Sequence, residues 1–369
     1  RITIMPNPPF RADHVGSLLR PHDLSDARQK WREGNLEFEA LRDLEDKHIR
    51  DAIKLQEGIG FKSITDGEFR RDYWHLDFIA GFSGVELNQE TYGHSFSGGG
   101  TVATFSITNK IGRHSGNMRD HYSFLKKNTK ETAKFCIPGP GMTHLRSGRS
   151  GISETFYPDL DEYWKDLTNS YSTEIQELAD LGCTYLQIDD VSFAYLCDDN
   201  FRNGIRKRGD DPDDLLVKYS QVLSDSAANR PNTMAVTAHM CRGNFQSTYM
   251  TTGGYEAVAE KMFSELNVDG YFMEYDSDRA GGFEPLRFIP PGKMVVLGLI
   301  TSKTPELENK DDIKRRIDEA TKYLDIDQMC LSPQCGFSST HHGNNLTQDQ
   351  QSKKLELVVE IAEEVWGNS

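Results

Sequence analysis

Residues 162–190 read EYWKDLTNSYSTEIQELADLGCTYLQIDD, and this stretch decides the fold. Glu162 to Gly182 is a helical segment. Thr184 to Asp189 (TYLQID) is a short strand-like run that ends in two carboxylates, Asp189 and Asp190. A buried strand entered from a helix belongs to a parallel sheet covered by helices.

Working outward, the same unit recurs. Strand candidates are Phe10 to Ser17, Phe61 to Asp66, Lys134 to Pro138, Met234 to His239, Gly270 to Glu274, Met294 to Leu299 and Gln328 to Ser332. Helical segments alternate with them at Leu36 to Gly60, Leu215 to Asn229, Gly254 to Leu266, Thr304 to Leu324 and Gln348 to Trp366. Eight strands alternating with helices predict an α/β fold, a (β/α)8 TIM barrel, which needs ~250 residues. An open doubly wound sheet is the alternative. The 369 residues read as one catalytic barrel domain, 1–369. The surplus includes a Gly-rich insertion after the second strand, about 86–130, expected to be a hairpin or lid.

Composition narrows the function classes. Lys and Arg total 42 against 57 Asp and Glu, a net charge of −15. Such a chain repels a phosphate backbone, so nucleic acid and anionic membranes are not expected partners. The longest clean apolar run, Met294 to Ile300, is too short for a membrane span. Arg1 to Phe10 shows no charged-then-apolar signal pattern. Six cysteines in a chain this long are no disulfide framework, and a reducing, cytoplasmic setting is expected.

In a barrel, chemistry collects at the C-terminal strand ends. His239-Met240-Cys241 is the sharpest local signal, because residues i and i+2 of a strand share a side. Both side chains can chelate one ion. Zinc wants four ligands, or three and an open position. Glu274 ends the next strand, and Cys335 follows the last, in Ser332-Pro333-Gln334-Cys335-Gly336. A strand-end His beside an inert buried Cys is the plainer alternative. Glu68 (TDGEFR) and Asp189 also follow strands; they can receive a substrate ammonium, or form ion pairs with rim cations such as Arg70 or Arg71. His14 is equally open, as rim ligand, substrate contact or structural histidine.

The stretches HVGSLLRP, ITDGEF, YLQIDD, HMCRGNF, YFMEYDSDRAGG and LSPQCGFSS together resemble the catalytic barrel of cobalamin-independent methionine synthase, in its short single-barrel form. The resemblance runs from about Arg11 to the end. It implies a zinc cofactor held by His239, Cys241, Glu274 and Cys335. It implies that Glu68 and Asp189 hold the amino group of homocysteine, with the backbone near Gly16 and Ser17 on its carboxylate. It implies a methyltransferase of methionine biosynthesis, acting on a small-molecule thiol and a methyl or alkyl donor. Asp189 and Lys303 are the candidate catalytic residues. Three departures stand out. The family's full-length enzyme has a second, N-terminal barrel, and these 369 residues are too few to contain one. The family's Q-I-D-E-P is here Gln187-Ile188-Asp189-Asp190-Val191. Lys303 stands where the family's proton-donor His is expected, and the Trp expected near the folate is absent, which weighs against a folate donor. A carbon–sulfur lyase or thiol–epoxide transferase on the same scaffold is the alternative function. An accessory protein or a homo-oligomer is left open.

A carboxylate is the hard ligand among soft ones, so Glu274 is expected to loosen when the substrate thiol arrives. Lys303 is expected to protonate the leaving group or neutralise an anionic donor. The loop Arg70 to Phe82, with Tyr73 and Trp74, is a candidate cover for the donor site.

Overall fold

The computed structural model describes residues 8–88 and 104–369. Its strands are β1 (Ser63–Ile64), β2 (Val85–Asn88), β3 (Thr104–Ile107), β4 (Thr132–Pro138), β5 (Tyr185–Asp189), β6 (Ala235–Met240), β7 (Gly270–Glu274), β8 (Met294–Ile300) and β9 (Met329–Pro333). Seven of them form one parallel sheet in the order β1-β4-β5-β6-β7-β8-β9, curled as in a TIM barrel. β4 to β9 are almost wholly buried, as expected of strands with helices on one face and a barrel interior on the other.

The helices follow the sequence expectation because their ends carry cap chemistry. Asp159 accepts from the Asp161 N–H to start Leu160–Asp180. Asp211 accepts from the Asp213 and Asp214 N–H groups, and Pro212 opens Pro212–Ala227. Thr347 and Gln350 form a reciprocal capping box at the head of Gln348–Trp366. Two segments are shorter than expected. Gly254 to Leu266 holds a 3-10 turn and the short helix Ala259–Glu265, and Thr304 to Leu324 holds Lys310–Ala320.

The eighth stave differs from the expected strand. Residues 10–17 make a single parallel bridge, Ala12 to Leu331, with Asp13 N–H donating to Leu331 O at 3.0 Å. On the β1 side the joint is made largely by side chains. The Ser63 hydroxyl donates to Asp13 at 2.8 Å, and the Thr65 hydroxyl donates to the Gly16 carbonyl at 2.6 Å. Polar side chains have replaced ladder bonds, and Gly16, at φ +134°, departs from extended backbone. Asp13 itself is wholly buried and takes bonds from Lys134 Nζ (2.9 Å) and the Tyr185 hydroxyl (2.7 Å). The second expected strand, Phe61 to Asp66, is reduced to the two residues of β1 for the same reason.

The expected insertion after that strand is an antiparallel pair, β2 with β3, in register Val85 to Ile107. Helix Asn117–Asn128 follows it. Residues 89–103 of the insertion, with the glycines at 98–100, lie outside the described residues.

Candidate active site

The parallel register sets the site. Asp189 at the end of β5 lies beside His239 of β6. Cys241 follows β6 by one residue, and Cys335 sits in the turn after β9. That turn is tight: a Cβ on Gly336 would lie 2.0 Å from the Ser17 hydroxyl. The Gln334 N–H donates to Ile300 O at 2.8 Å and pins the turn to β8. The result brings one ring nitrogen of His239 and the sulfurs of Cys241 and Cys335 within 4.8 Å of one another, all buried.

Charge within this trio is uneven. A hydrogen bond from Cys241, and then His239, pull the Cys335 thiol well below the ordinary thiol range. The same bond to Cys335, with burial, pushes Cys241 well above it. Burial alone would lower His239, but its bonds to Asp189 and Cys335 raise it to about 10. His239 Nδ1 lies 3.0 Å from Asp189 Oδ1, which orients the ring, and Nε2 lies 3.3 Å from the Gln334 carbonyl.

These three donors fit a soft divalent cation. Two sulfurs and an imidazole are the ligand types that zinc prefers, and they hold protons that a cation would displace.

Glu274, the fourth expected ligand, is not in the trio. It ends β7 and is wholly buried. Its Oε1 lies 2.7 Å from Arg279 Nη2, and its Oε2 accepts the Arg242 N–H at 3.0 Å. Burial works against its ionisation, but Lys303, Arg279 and Arg242 hold its carboxyl below the usual range.

Lys303 is buried and does not line the cavity. Its ammonium donates to Gly243 O (3.0 Å), Asn244 Oδ1 (3.0 Å) and Thr248 O (3.2 Å).

On the acid side, Glu68 follows Gly67, and both adopt left-handed backbone, φ +59° and +67°. For a glutamate this conformation is strained, and such strain collects at functional sites. Glu68 Oε1 lies 4.0 Å from Arg71 Nη1, while Oε2 is buried with no hydrogen-bond partner. Burial, against the pull of Arg71, pushes its carboxyl up to about 8. Donor atoms of Glu68, Asp189 and Cys136 also lie within 4.8 Å of one another. Gly16 sits behind them, where a Cβ would meet Cys136 Sγ at 2.7 Å. Ser17 lines the cavity, and its hydroxyl accepts the Ser338 N–H at 3.3 Å.

His14 lies inside the barrel, with Nε2 3.2 Å from Ser63 O and burial pushing it down to about 4. Asp190 accepts from the Ser192 N–H and packs against Gly139, while its own N–H donates to the His239 carbonyl at 2.9 Å.

The cavity is therefore lined by the acids Glu68 and Asp189 and by the trio His239, Cys241 and Cys335. It is also lined by Arg146 and Tyr195, which the sequence did not mark, and by Trp74, His75 and Phe245. Trp74 belongs to the loop expected to cover the donor site. Arg146 follows the Pro138 to Gly141 turn, and nothing in its local sequence sets it apart from any loop arginine.

Fold and site define a TIM-barrel-like protein whose strand ends gather two cysteines and a histidine. The chain belongs to the family described as "Cobalamin-independent synthase, Catalytic domain", which it matches over residues 10–364. It is 45% identical over 362 residues to YxjH of Bacillus subtilis, described as uncharacterised, covering 97% of this chain and 95% of that protein. It is similar to the crystal structure of a putative vitamin-B12-independent methionine synthase from Listeria monocytogenes. That match has a TM-score of 0.79 and 36% identity, covering 99% of this chain and all of that one. A B12-independent methionine synthase from Shewanella sp. W3-18-1 shares the fold, with TM-score 0.73 and 20% identity, over 96% of this chain and 97% of that one.

Proposed function

We propose that this protein is a zinc-dependent thiol methyltransferase whose acceptor is an aminothiol of the homocysteine type. The observation that carries the reading is the convergence of His239, Cys241 and Cys335 beside the acid pair Glu68 and Asp189. Family membership supports the reaction class, and the methionine-synthase description of the Listeria relative supports the acceptor.

A zinc ion held by His239, Cys241 and Cys335, with Glu274 as the fourth ligand, would keep a substrate thiol ionised at neutral pH, where a free thiol of pKa ~8.5 is mostly protonated. The chain's own residues do the rest. Asp189 fixes the His239 ring. Glu68 and Asp189 take the substrate ammonium, which supplies the partner that Glu68 Oε2 lacks. Gly16 and Ser17 present backbone to the carboxylate. In the transfer a sulfur–carbon bond forms as the donor–carbon bond breaks. The electron pair of that bond leaves with the donor, which then takes up a proton. Lys303 acts as a positioning residue. Its three bonds hold the loop 243–248, which brings Asn244 and Phe245 to the cavity. To join the ligands Glu274 would have to share or give up its bonds to Arg279 and to the Arg242 N–H. The described chain forms one catalytic barrel, and its free, buried cysteines suit a reducing, cytoplasmic setting. No described helix is long and apolar enough to cross a membrane.

The test is calorimetry of the zinc-loaded protein with L-homocysteine and with a thiol of the same length that lacks the amine. Glu68→Ala should weaken the aminothiol at least about tenfold, as loss of a charge-assisted hydrogen bond does, and leave the other within twofold. Equal losses for both thiols would reject the ammonium role.

A further inference from the structure

The two acids of the cavity are placed by different means. Asp189 ends β5, where the parallel register sets it beside His239, and Gln187 Nε2 donates to it at 2.7 Å. Glu68 has no such support from the sheet. It lies in a loop beyond the short strand β1, on left-handed backbone. Strained backbone of this kind persists only where its surroundings over-determine it.

The holder is Arg20, a buried residue. Its Nη2 donates to the carbonyls of Glu68 and Arg71, each at 2.8 Å. Its Nη1 donates to the Ser338 carbonyl (2.8 Å), the Ser338 hydroxyl (2.6 Å) and the Thr340 carbonyl (3.4 Å). One planar group thus takes the loop of Glu68 on one nitrogen and the chain just beyond Cys335 on the other. That chain is tied back to the sulfur, because Ser339 Oγ lies 3.8 Å from Cys335 Sγ. Further along, the same two loops are joined by the Trp74 N–H to Ser339 O (2.9 Å) and the His341 N–H to Asp72 O (2.7 Å). Loss of Arg20 therefore frees the inner ends of the loops without parting them.

We propose that Arg20 is a positioning residue that sets the span between the amine and thiol sites, and with it the chain length of the aminothiol acceptor. The inference rests on the proposed function, in which Glu68 takes the ammonium and Cys335 helps to hold the ion that takes the thiol. Those groups are the two ends of one small molecule, and homocysteine has one methylene more between them than cysteine. A guanidinium suits the task, because its donors form a rigid planar fork, whereas a lysine offers fewer donors from a single point.

The test is calorimetry of the zinc-loaded protein with L-homocysteine and with L-cysteine. The wild type should favour homocysteine at least about tenfold, the scale on which a fitted site tells one methylene. Arg20→Met and Arg20→Lys should each lower the ratio of the two affinities at least about fivefold. A merely weakened fold would lower both affinities together and leave the ratio alone. Arg20→Lys carries the test if Arg20→Met does not fold. The inference is overturned if the wild type binds both thiols equally, or if a folded variant keeps the wild-type ratio. Binding of neither thiol by the wild type overturns the proposed function instead. Arg20 is then judged without any thiol, on protein loaded with cobalt in place of zinc, whose visible absorption reports the geometry of the cysteine ligands. Arg20→Lys should shift those bands. Unshifted bands, or a wild-type protein that takes up no cobalt, overturn the inference.

Discussion

Glu68 lines the cavity with a strongly shifted carboxyl. Its carboxyl is raised to about 8, mainly by burial, with Asp189 and Asp66 adding to the effect and Arg71 and Arg20 opposing it. The unfolded chain releases this proton near 4.5, the ordinary value, while the folded chain keeps it. Between those two values the folded state binds more protons than the unfolded one, so stability falls as pH rises. The slope is roughly 1.4 kcal/mol per pH unit within the window and vanishes outside it. Glu68→Gln cannot titrate, so the variant should gain stability over the wild type as pH climbs from 5 to 8. Urea unfolding at successive pH values measures this, and parallel curves for the two proteins would show that Glu68 ionises normally. A bound ammonium favours the charged form, so aminothiol affinity should also rise with pH toward 8.

Among the elements, the eighth stave is the one built least like a strand. Residues 10–17 are held by side chains that meet inside the barrel, above all the Lys134–Asp13 pair, 2.9 Å apart and wholly buried. Removing one partner leaves an uncompensated charge in the core. Lys134→Met should therefore cost about 3–5 kcal/mol. Combining it with Asp13→Asn should cost less than the sum of the two single changes by more than about 1 kcal/mol, measured by denaturant unfolding. Additive costs would mean that the two residues are stabilised by separate partners. This stave also shows where sequence reasoning runs out. Gly270 to Glu274 was readable to the residue, because a buried parallel strand is a continuous apolar run between turn signals. Phe10 to Ser17 has an apolar start too, but its Asp13, His14 and Gly16 exchange ladder bonds for side-chain bonds, and no local pattern announces that.

Over the whole molecule, the barrel turns distant positions into neighbours. Cysteines 241 and 335 are far apart in sequence, yet their sulfurs lie within 4.8 Å of each other, because β6 and the turn after β9 both end at one mouth. This convergence was legible, since strand ends in a barrel must meet. The engagement of Glu274 with Arg279 was not, although both lie in YFMEYDSDRAGG, because spacing across a strand-to-loop boundary does not fix which way a loop arginine turns. Arg146 was invisible for a different reason. Only the folded chain brings it to the cavity. The account stands or falls on the trio. Purified wild-type protein should carry one zinc per chain. Cys241→Ser and Cys335→Ser should each lose zinc to a competing chelator by more than the roughly 10–100-fold that a supporting residue costs. Full zinc retention in both variants would contradict the account.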